Sequence, residues 1–500
     1  MWFVGCIVFG IFTIKLLKVG SRPNGYPPGP PTIPILGNLH QFPRKDLHLK
    51  FQESTRKYGP LVSLKMGTQT MILCGSDEVV KELMEKRSAT SSLKVDMFIR
   101  TFSDNLNIAF REWVHLARKM YATRINLGGA NNYIPYQEFE SLHLLHKLKS
   151  EPDNFQGLVT HYATSIASAI VYGRRIPSAD DSGIKTLIEV RPNFGTTALS
   201  GKLQLADWYP ILRPLFHVLP KALNPIKRKV EELEEMETQM WIHHTTVARV
   251  LIDSGNPNAM NTPAAFVKAM ALYPDVQAKA QEEIDRVIGS KRMPTWSDRE
   301  HLPYMRAVLE ENLRWLPVTL IGPPMPHALS KDESYEGYFL PAGAAIVNCI
   351  GTVNHAENRW KNPREFDPSR HQADETLNEV FGINPDTTKR PHTTFGVGRR
   401  ICPGFHIAQR TLFIGMARIL WAFRIQPKLD AAGKPIPIDR DAIIPALVTG
   451  PKLFQCNIEP RDPDRVLMFE DAWESSQKEI DSEGHFNDIF FEKFTIKKTV

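Results

Sequence analysis

The segment Phe395-Gly396-Val397-Gly398-Arg399-Arg400-Ile401-Cys402-Pro403-Gly404 restricts the fold more than any other stretch of the 500 residues. It sets one cysteine among three glycines, with Arg400 two residues before the sulfur and a helix-prone run, Phe405 to Ala417, after it. Glycines on both sides let the backbone pass close to a large planar group without a Cβ clash, and permit positive φ where the loop turns. Arg400 is placed to pair with an anionic edge of such a group. Phe395 would screen a thiolate from water, and the N-terminus of the following helix would stabilise a negative sulfur. A nucleotide-binding loop fits poorly, because the glycine spacing is not GxGxxG and the run does not open a helix directly. A lone cysteine would be uninformative, but this spacing is specific.

The other cysteines, Cys6, Cys74, Cys349 and Cys456, are far apart and form no CxxC, and the total is odd. That excludes a disulfide framework and a structural zinc site, and leaves them as small buried hydrophobes. With 42% hydrophobic and 23% charged residues the chain has enough apolar side chains for a large core, so it is neither disordered nor fibrous. At roughly 150 residues per domain the length allows about three units or one large one. Lys and Arg number 61 against 55 acids, and they are spread out. No basic cluster interleaved with aromatics points to nucleic acid, whereas an acidic protein partner or an anionic lipid surface suits the charge.

Residues 1 to 14 carry no charge and are apolar, and Lys15, Lys18 and Arg22 follow them. A signal peptide has its positive charge before the apolar run and a small-residue cleavage site after it. The order here is reversed, so residues 1–20 read as an uncleaved membrane anchor, with the body on the cytosolic side. Tyr26-Pro27-Pro28-Gly29-Pro30-Pro31 is then a stiff extended strut that orients the body. Leu61 to Met66 and Thr70 to Cys74 predict a hairpin about Gly67-Thr68-Gln69, and Ser76 predicts an N-cap. Residues 135 to 315 read mostly as helix, and Val318–Leu320 and Ala345–Val347 form a second β-prone patch. The fold class is mainly α with small β-sheets.

The run FGVGRRICPG resembles the haem-binding loop of the cytochrome P-450 superfamily, the haem-thiolate monooxygenases. The resemblance extends from the proline strut to about residue 460. Glu311 and Arg314, three apart on a predicted helix, and Arg370 in Phe366-Asp367-Pro368-Ser369-Arg370 resemble the buried triad that holds the family's core. Ser369 and His371 stand where the family commonly has Glu and Phe. Ala269 to Pro274, with Glu283 to Val287, looks especially like microsomal fungal members, many of which oxidise secondary metabolites. The resemblance implies haem b with Cys402 as the axial thiolate and sole metal ligand. Phe395, Gly396, Gly398, Arg400, Gly404, His392 and Arg118 would be the other cofactor-binding residues. Val114 follows Trp113 where the family has arginine, which is why Arg118 is taken for that role. Val318, Thr319 and Leu320 would line the pocket of a lipophilic small-molecule substrate.

Electrons would come from an NADPH-dependent flavoprotein reductase, docking where Lys389, Arg390, Arg399 and Arg400 gather charge. The expected location is the endoplasmic reticulum, anchored through residues 1–20, with residues 25–462 as the haem domain and 463–500 as an acidic tail.

One element departs from the family. Its central distal helix carries an acid and a threonine that deliver protons to bound dioxygen. Here the sequence reads Gly255-Asn256-Pro257-Asn258-Ala259-Met260-Asn261-Thr262-Pro263, which is turn chemistry with no such pair. Thr262-Pro263 predicts the start of a helix, so the first half of the central helix is missing. Two alternatives to a monooxygenase follow: a haem isomerase or dehydratase that does not activate dioxygen, and an inactive, truncated member. His243-His244 and Glu231 to Glu237 read as surface side chains.

Overall fold

The β-prone runs around Gly67-Thr68 pair with each other. β1 (Leu61–Met66) and β2 (Gln69–Cys74) are antiparallel with Met66 opposite Gln69, so the turn is two residues long and Gln69 belongs to the strand. Gly67 takes φ +59°, the left-handed value such a turn requires. The computed structural model describes residues 13, 17–43, 46–98, 125–178, 201–218, 228, 261–322, 326–371, 383–444 and 448–493. Most of the expected anchor, Trp113 with Arg118, the Glu231–Glu237 run, His243-His244 and residues 250–260 lie outside the described residues. Among the described residues no helix is long and apolar enough to cross a membrane.

Further strands are β3 (Leu93–Lys94), β4 (His327–Ala328), β5 (Glu333–Tyr335), β6 (Tyr338–Leu340) and β7 (Ala345–Asn348). They build a five-stranded sheet of order β1-β2-β7-β4-β3, in which only β2 and β7 run parallel, while β5 and β6 form a separate hairpin. Both faces of β1 and β7 are buried. Val318–Leu320, expected as part of a β patch, is not a strand. Pro317 has no N–H to offer a ladder after the end of the helix at Trp315, and the segment's carbonyls make isolated bonds instead, Thr449 N–H to Val318 O at 2.6 Å and Gly351 N–H to Leu320 O at 2.8 Å. Ser76 caps the next helix as expected, its Oγ accepting from Val79 N–H at 3.3 Å.

The helices are α1 (Leu47–Tyr58), α2 (Ile134–Ser150), α3 (Phe155–Tyr172), α4 (Gly201–Trp208), α5 (Arg213–Val218), α6 (261–272), α7 (Pro274–Val287), α8 (Pro303–Trp315), α9 (Phe405–Ala422) and α10 (Pro463–Ser476). Proline opens α7, α8 and α10, where its missing N–H costs nothing. Asn261 and Thr262 are already helical, so α6 does not begin with Thr262 as its cap.

Helix α9 is the axis of the core. Every residue from Gln409 to Ala422 is buried, because α2, α7 and α8 pack around it. It passes without a loop into β8 (Phe423–Pro427), and the backbone at that junction needs partners. Gln277 supplies them by accepting from Ile425 N–H at 2.7 Å and donating to Ile425 O at 2.7 Å. Gln281 donates to Phe423 O at 2.9 Å. β9 (Ile443–Ile444) pairs with β10 (Gly450–Pro451), and β11 (Cys456–Pro460) returns along β8.

The acidic segment after residue 462 folds back onto the body. Trp473 of α10 stacks on His143 of α2 with ring centroids 4.7 Å apart and planes at 18°. Phe486 and Phe490 bury against Tyr136 and Phe139. Most of its acids are exposed while Trp473, Phe486 and Phe490 cover α2, a division that net charge alone does not reveal.

Candidate functional site

The loop ahead of α9 is shaped by two glycines. Gly396 and Gly398 take φ +74° and +61°, values that cost a side-chain-bearing residue roughly 1–2 kcal/mol. A Cβ on Gly398 would also run into the carbonyl of Met84. Gly404 differs, with φ −84° and a hypothetical Cβ 3.9 Å from Cys402 Sγ, so neither backbone strain nor a clash demands glycine there. Between them, Cys402 N–H donates to Phe395 O at 2.8 Å and Ile401 N–H to Gly398 O at 3.1 Å, closing the loop on itself. The buried Phe395 ring sits edge-on to Phe405, centroids 4.8 Å apart.

Cys402 stands three residues before the first turn of α9 and is only partly buried. Cys74, Cys349 and Cys456 are buried instead. Burial pushes the Cys74 and Cys456 thiols up to about 12, so they stay protonated. Among the described cysteines, Cys402 alone combines access with a helix N-terminus.

Arg400, expected to pair with an anionic cofactor edge, has two further nitrogenous groups beside it. Arg400 Nε donates to Ser92 O at 3.0 Å, which brings the guanidinium beside β3. There Lys94 pairs across the ladder with His327, and both side chains are buried. Burial and the positive charge of Arg400 bring the Lys94 ammonium down to about 7. Burial, Lys94 and Arg400 together keep His327 well below the usual histidine range. Three nitrogenous groups thus crowd together, an arrangement that a nearby carboxylate would relieve. Sequence reasoning found Arg400 but missed Lys94 and His327, which lie far apart in the chain and meet only through strand pairing.

The remaining expected site residues fall out differently. His392 is buried, with its ring nitrogens on Glu310 Oε2 at 3.1 Å and on Thr394 N–H at 3.2 Å. Both nitrogens are thus used within the protein. Arg390, expected on a docking surface, is buried and bonded to Asn384 O at 2.6 Å, Gly396 O at 3.0 Å and Glu85 at 3.1 Å. It braces the loop from inside, and only Lys389 and Arg399 of the expected basic group are exposed. Arg118 lies outside the described residues.

The expected triad is present and larger than the motif suggested. Arg314 Nε and Nη2 donate to Glu311 at 2.7 and 2.8 Å, Arg370 Nε approaches at 3.3 Å, and His371 Nε2 lies 2.9 Å away. Burial would raise the Glu311 carboxyl, but the Arg314 and His371 contacts outweigh it and hold the group at about 2. His371 takes up a second oxygen of Glu311, so the departure from the family pattern adds a partner. Arg314 also donates to Asn354 O and Pro363 O, both at 2.9 Å, tying α8 to the segment that leads to Arg370.

On the other side of the core, the end of α6 meets the expected pocket residues. Asn261 Nδ2 donates to Thr449 O at 3.1 Å, and Asn312 Nδ2 to Thr262 O at 3.0 Å. Val318 and Thr319 are buried beside them and Leu320 is half-buried.

Comparison with known proteins agrees with this arrangement. The sequence model of the family "Cytochrome P450" matches residues 27–246 and 255–458. The chain is similar to Cytochrome P450 monooxygenase virE of Hypocrea virens, at 34% identity over 97% of this chain and 95% of the relative. It is similar to fsoB of Humicola fuscoatra, at 32% over 95% and 94%, and to fogE of Aspergillus ruber, at 32% over 92% and 91%. The alignment with virE runs to 533 positions, more than the 500 residues here, so that relative has segments without a counterpart in this chain. A helical core around α9, a glycine-framed cysteine loop, a buried Glu–Arg pair and these relatives lead to one assignment: the chain belongs to the cytochrome P450 family, as a P450-type oxidoreductase whose cofactor is haem with thiolate ligation.

Proposed function

We propose that the protein is a monooxygenase that inserts one oxygen atom of O2 into a lipophilic small molecule, in fungal secondary-metabolite biosynthesis. The observation that carries this reading is the loop Phe395–Gly404, with the partly exposed Cys402, which would hold the haem iron as thiolate, just ahead of α9. Bound haem supplies the oxygen-activating redox chemistry, its thiolate favouring O–O cleavage. The chain's own residues do the rest. Phe395 and Phe405 exclude water from the sulfur side, and Arg400, Lys94 and His327 hold the carboxylate edge. Val318, Thr319 and Leu320 face the substrate. An NADPH-dependent flavoprotein reductase delivers electrons through the exposed Lys389 and Arg399.

Membrane association belongs to the same proposal. Residues 1–20 anchor the chain in the endoplasmic reticulum with the haem domain in the cytosol. A second contact is available on α5 and the turn before it, where Ile211, Leu215 and Val218 are 87%, 55% and 81% exposed. Tyr209 Oη donates to Ile35 O at 2.9 Å, which brings the exposed Ile35 and Leu36 next to that turn. The described residues that follow the expected anchor reach the same place, since Ile35 N–H donates to Val19 O at 2.6 Å.

The deciding experiment is the absorption spectrum of reduced, carbon-monoxide-bound protein in membranes, followed by oxygen uptake with reductase and NADPH. A strongly red-shifted Soret band is expected. A band of thiol or histidine ligation, or no haem, overturns the reading.

A specific observation favours a second reading. Gly255 to Pro263 contains no acid-threonine pair, and the longer relatives carry residues that this chain lacks. Under that reading the protein is a haem isomerase or dehydratase, turning over without reductase or oxygen, or an inactive truncated member. Sequencing the transcript across Val250 to Ala265 separates these, since a longer message restores the helix.

A further inference from the structure

Apart from the Glu311 triad, α8 carries a second buried carboxylate, Glu310, on the neighbouring face. Its two oxygens go to opposite ends of the cysteine loop. Oε2 lies 3.1 Å from His392 Nε2, three residues before Phe395. Oε1 accepts from Gln409 Nε2 at 3.0 Å, in the second turn of α9. Glu310, His392 and Gln409 are 3%, 1% and 1% exposed, so the bonds are made without competing water. Thr394 N–H donates to His392 Nδ1 at 3.2 Å, which leaves the ring hydrogen on Nε2 and fixes His392 as donor to the carboxylate.

We propose that Glu310 is the positioning residue of the haem loop: one buried carboxylate grips the loop where it enters, at His392, and where it leaves, at Gln409, and sets a fixed negative charge beneath it. The inference rests on Cys402 being the axial ligand. Further contacts give the grip its precision. Thr394 Oγ1 donates to Leu313 O at 2.8 Å on the same helix. Asn354 accepts from Thr393 N–H at 3.0 Å and donates to Thr394 Oγ1 at 3.1 Å. The His392 ring packs on Phe395, centroids 5.8 Å apart, and Phe395 O accepts from Cys402 N–H at 2.8 Å. The path from Glu310 to the sulfur's own peptide is therefore continuous.

Charge matters as well as span. Burial would raise the Glu310 carboxyl, but the bond to His392, with His371 and Arg299 nearby, keeps it ionised. His392, held down by burial, is neutral, so the pair carries one net negative charge. A fixed anion beneath the loop favours the ferric over the ferrous state of a thiolate haem.

Two variants separate charge from connection. Glu310→Gln keeps the volume and, with the Gln409 amide reversed, both bonds, but removes the charge. Gln409→Leu keeps the charge and releases one end of the loop. In redox titrations of the full-length holoprotein, E310Q is expected to shift the reduction equilibrium about tenfold toward ferrous, about +59 mV for one electron. In Q409L the carbon-monoxide complex should convert from the thiolate to the thiol band several-fold faster, with the potential unmoved. If both variants melt lower yet keep wild-type potential and conversion rate, the role is only structural and the proposal is overturned. Should E310Q fail to fold, the Q409L conversion rate decides alone. A wild-type protein without a thiolate band overturns the Cys402 assignment and this proposal together.

Discussion

Gly398 and Gly404 flank the same sulfur, yet they answer to different physics. Gly398 holds φ +61° with the Met84 carbonyl where a side chain would begin, whereas Gly404 has ordinary backbone and an ordinary contact distance, 3.9 Å, from a Cβ to Cys402 Sγ. Gly398→Ala should therefore displace the loop and remove most bound haem, while Gly404→Ala retains it; the ratio of Soret to protein absorbance reads both. Lys94 gives a second test at this scale. Its ammonium falls to about 7 in the fold against 10.5 as the ordinary value. Between those pH values the unfolded chain binds a proton that the folded chain does not, so apoprotein stability should rise with pH across that window. Lys94→Met should flatten the rise in urea midpoints and, by removing charge from the carboxylate pocket, weaken haem retention. The glycines and Arg400 were legible in the sequence, because a short motif needs them at fixed spacing. Lys94, His327 and Glu310 were not, since each acts through a partner 80 or more residues away, as His392 does 82 positions after Glu310.

Among the elements, α10 changes most between sequence and structure. The segment was expected as an acidic tail, yet Trp473 stacks on His143 and His146 of α2, and Arg465 binds Asp285 of α7 at 2.8 Å. Beneath Trp473 lies a buried node in which Arg175 reaches Glu140 at 2.8 Å and His143 at 2.8 Å. Trp473→Ala should cost about 2 kcal/mol, less than a fully buried tryptophan because the ring is partly exposed. Burial lowers His143 to about 4, and Glu140, which burial would raise, is held at about 2 by Arg175 and His143. Both shifts make the unfolded chain the better proton acceptor. Stability should then fall as pH drops from about 6.5 toward 4 with His143, and from about 4.5 toward 2 with Glu140. Glu140→Gln should remove the second component, as seen in denaturant midpoints against pH. The hairpin β1–β2, the Ser76 cap and the helix after Cys402 were legible because local chemistry determines them. Val318–Leu320 misled because β-branched residues after a proline look like a strand, while the backbone bonds that would make one are absent.

For the whole molecule, family membership followed from motif order, and the packing explains that order. Helix α9 joins the cysteine loop to the core, α8 holds the loop's approaches through Glu310 and the Arg370 segment through Glu311, and the sheet brings β3 and β4 to the edge of the loop. The exposed apolar residues have a separate logic. Ile211→Glu with Val218→Glu should lower binding to phosphatidylcholine vesicles by tenfold or more without altering the Soret spectrum, which flotation and absorption would measure together. Equal binding would confine membrane contact to the N-terminal segment.

The absence of a loop between α9 and β8 has a temporal consequence. The haem loop and α9 are synthesised before β11 and α10, which pack over the same core through Arg461 and Arg465 on Asp285. At roughly 5–20 residues per second, the chain spends seconds with α9 made and the cover of α2 still to come. During that interval the nascent protein is open along the flank that α10 later closes. Translation speed therefore sets how long that flank of the core stands uncovered, and α10 completes it last.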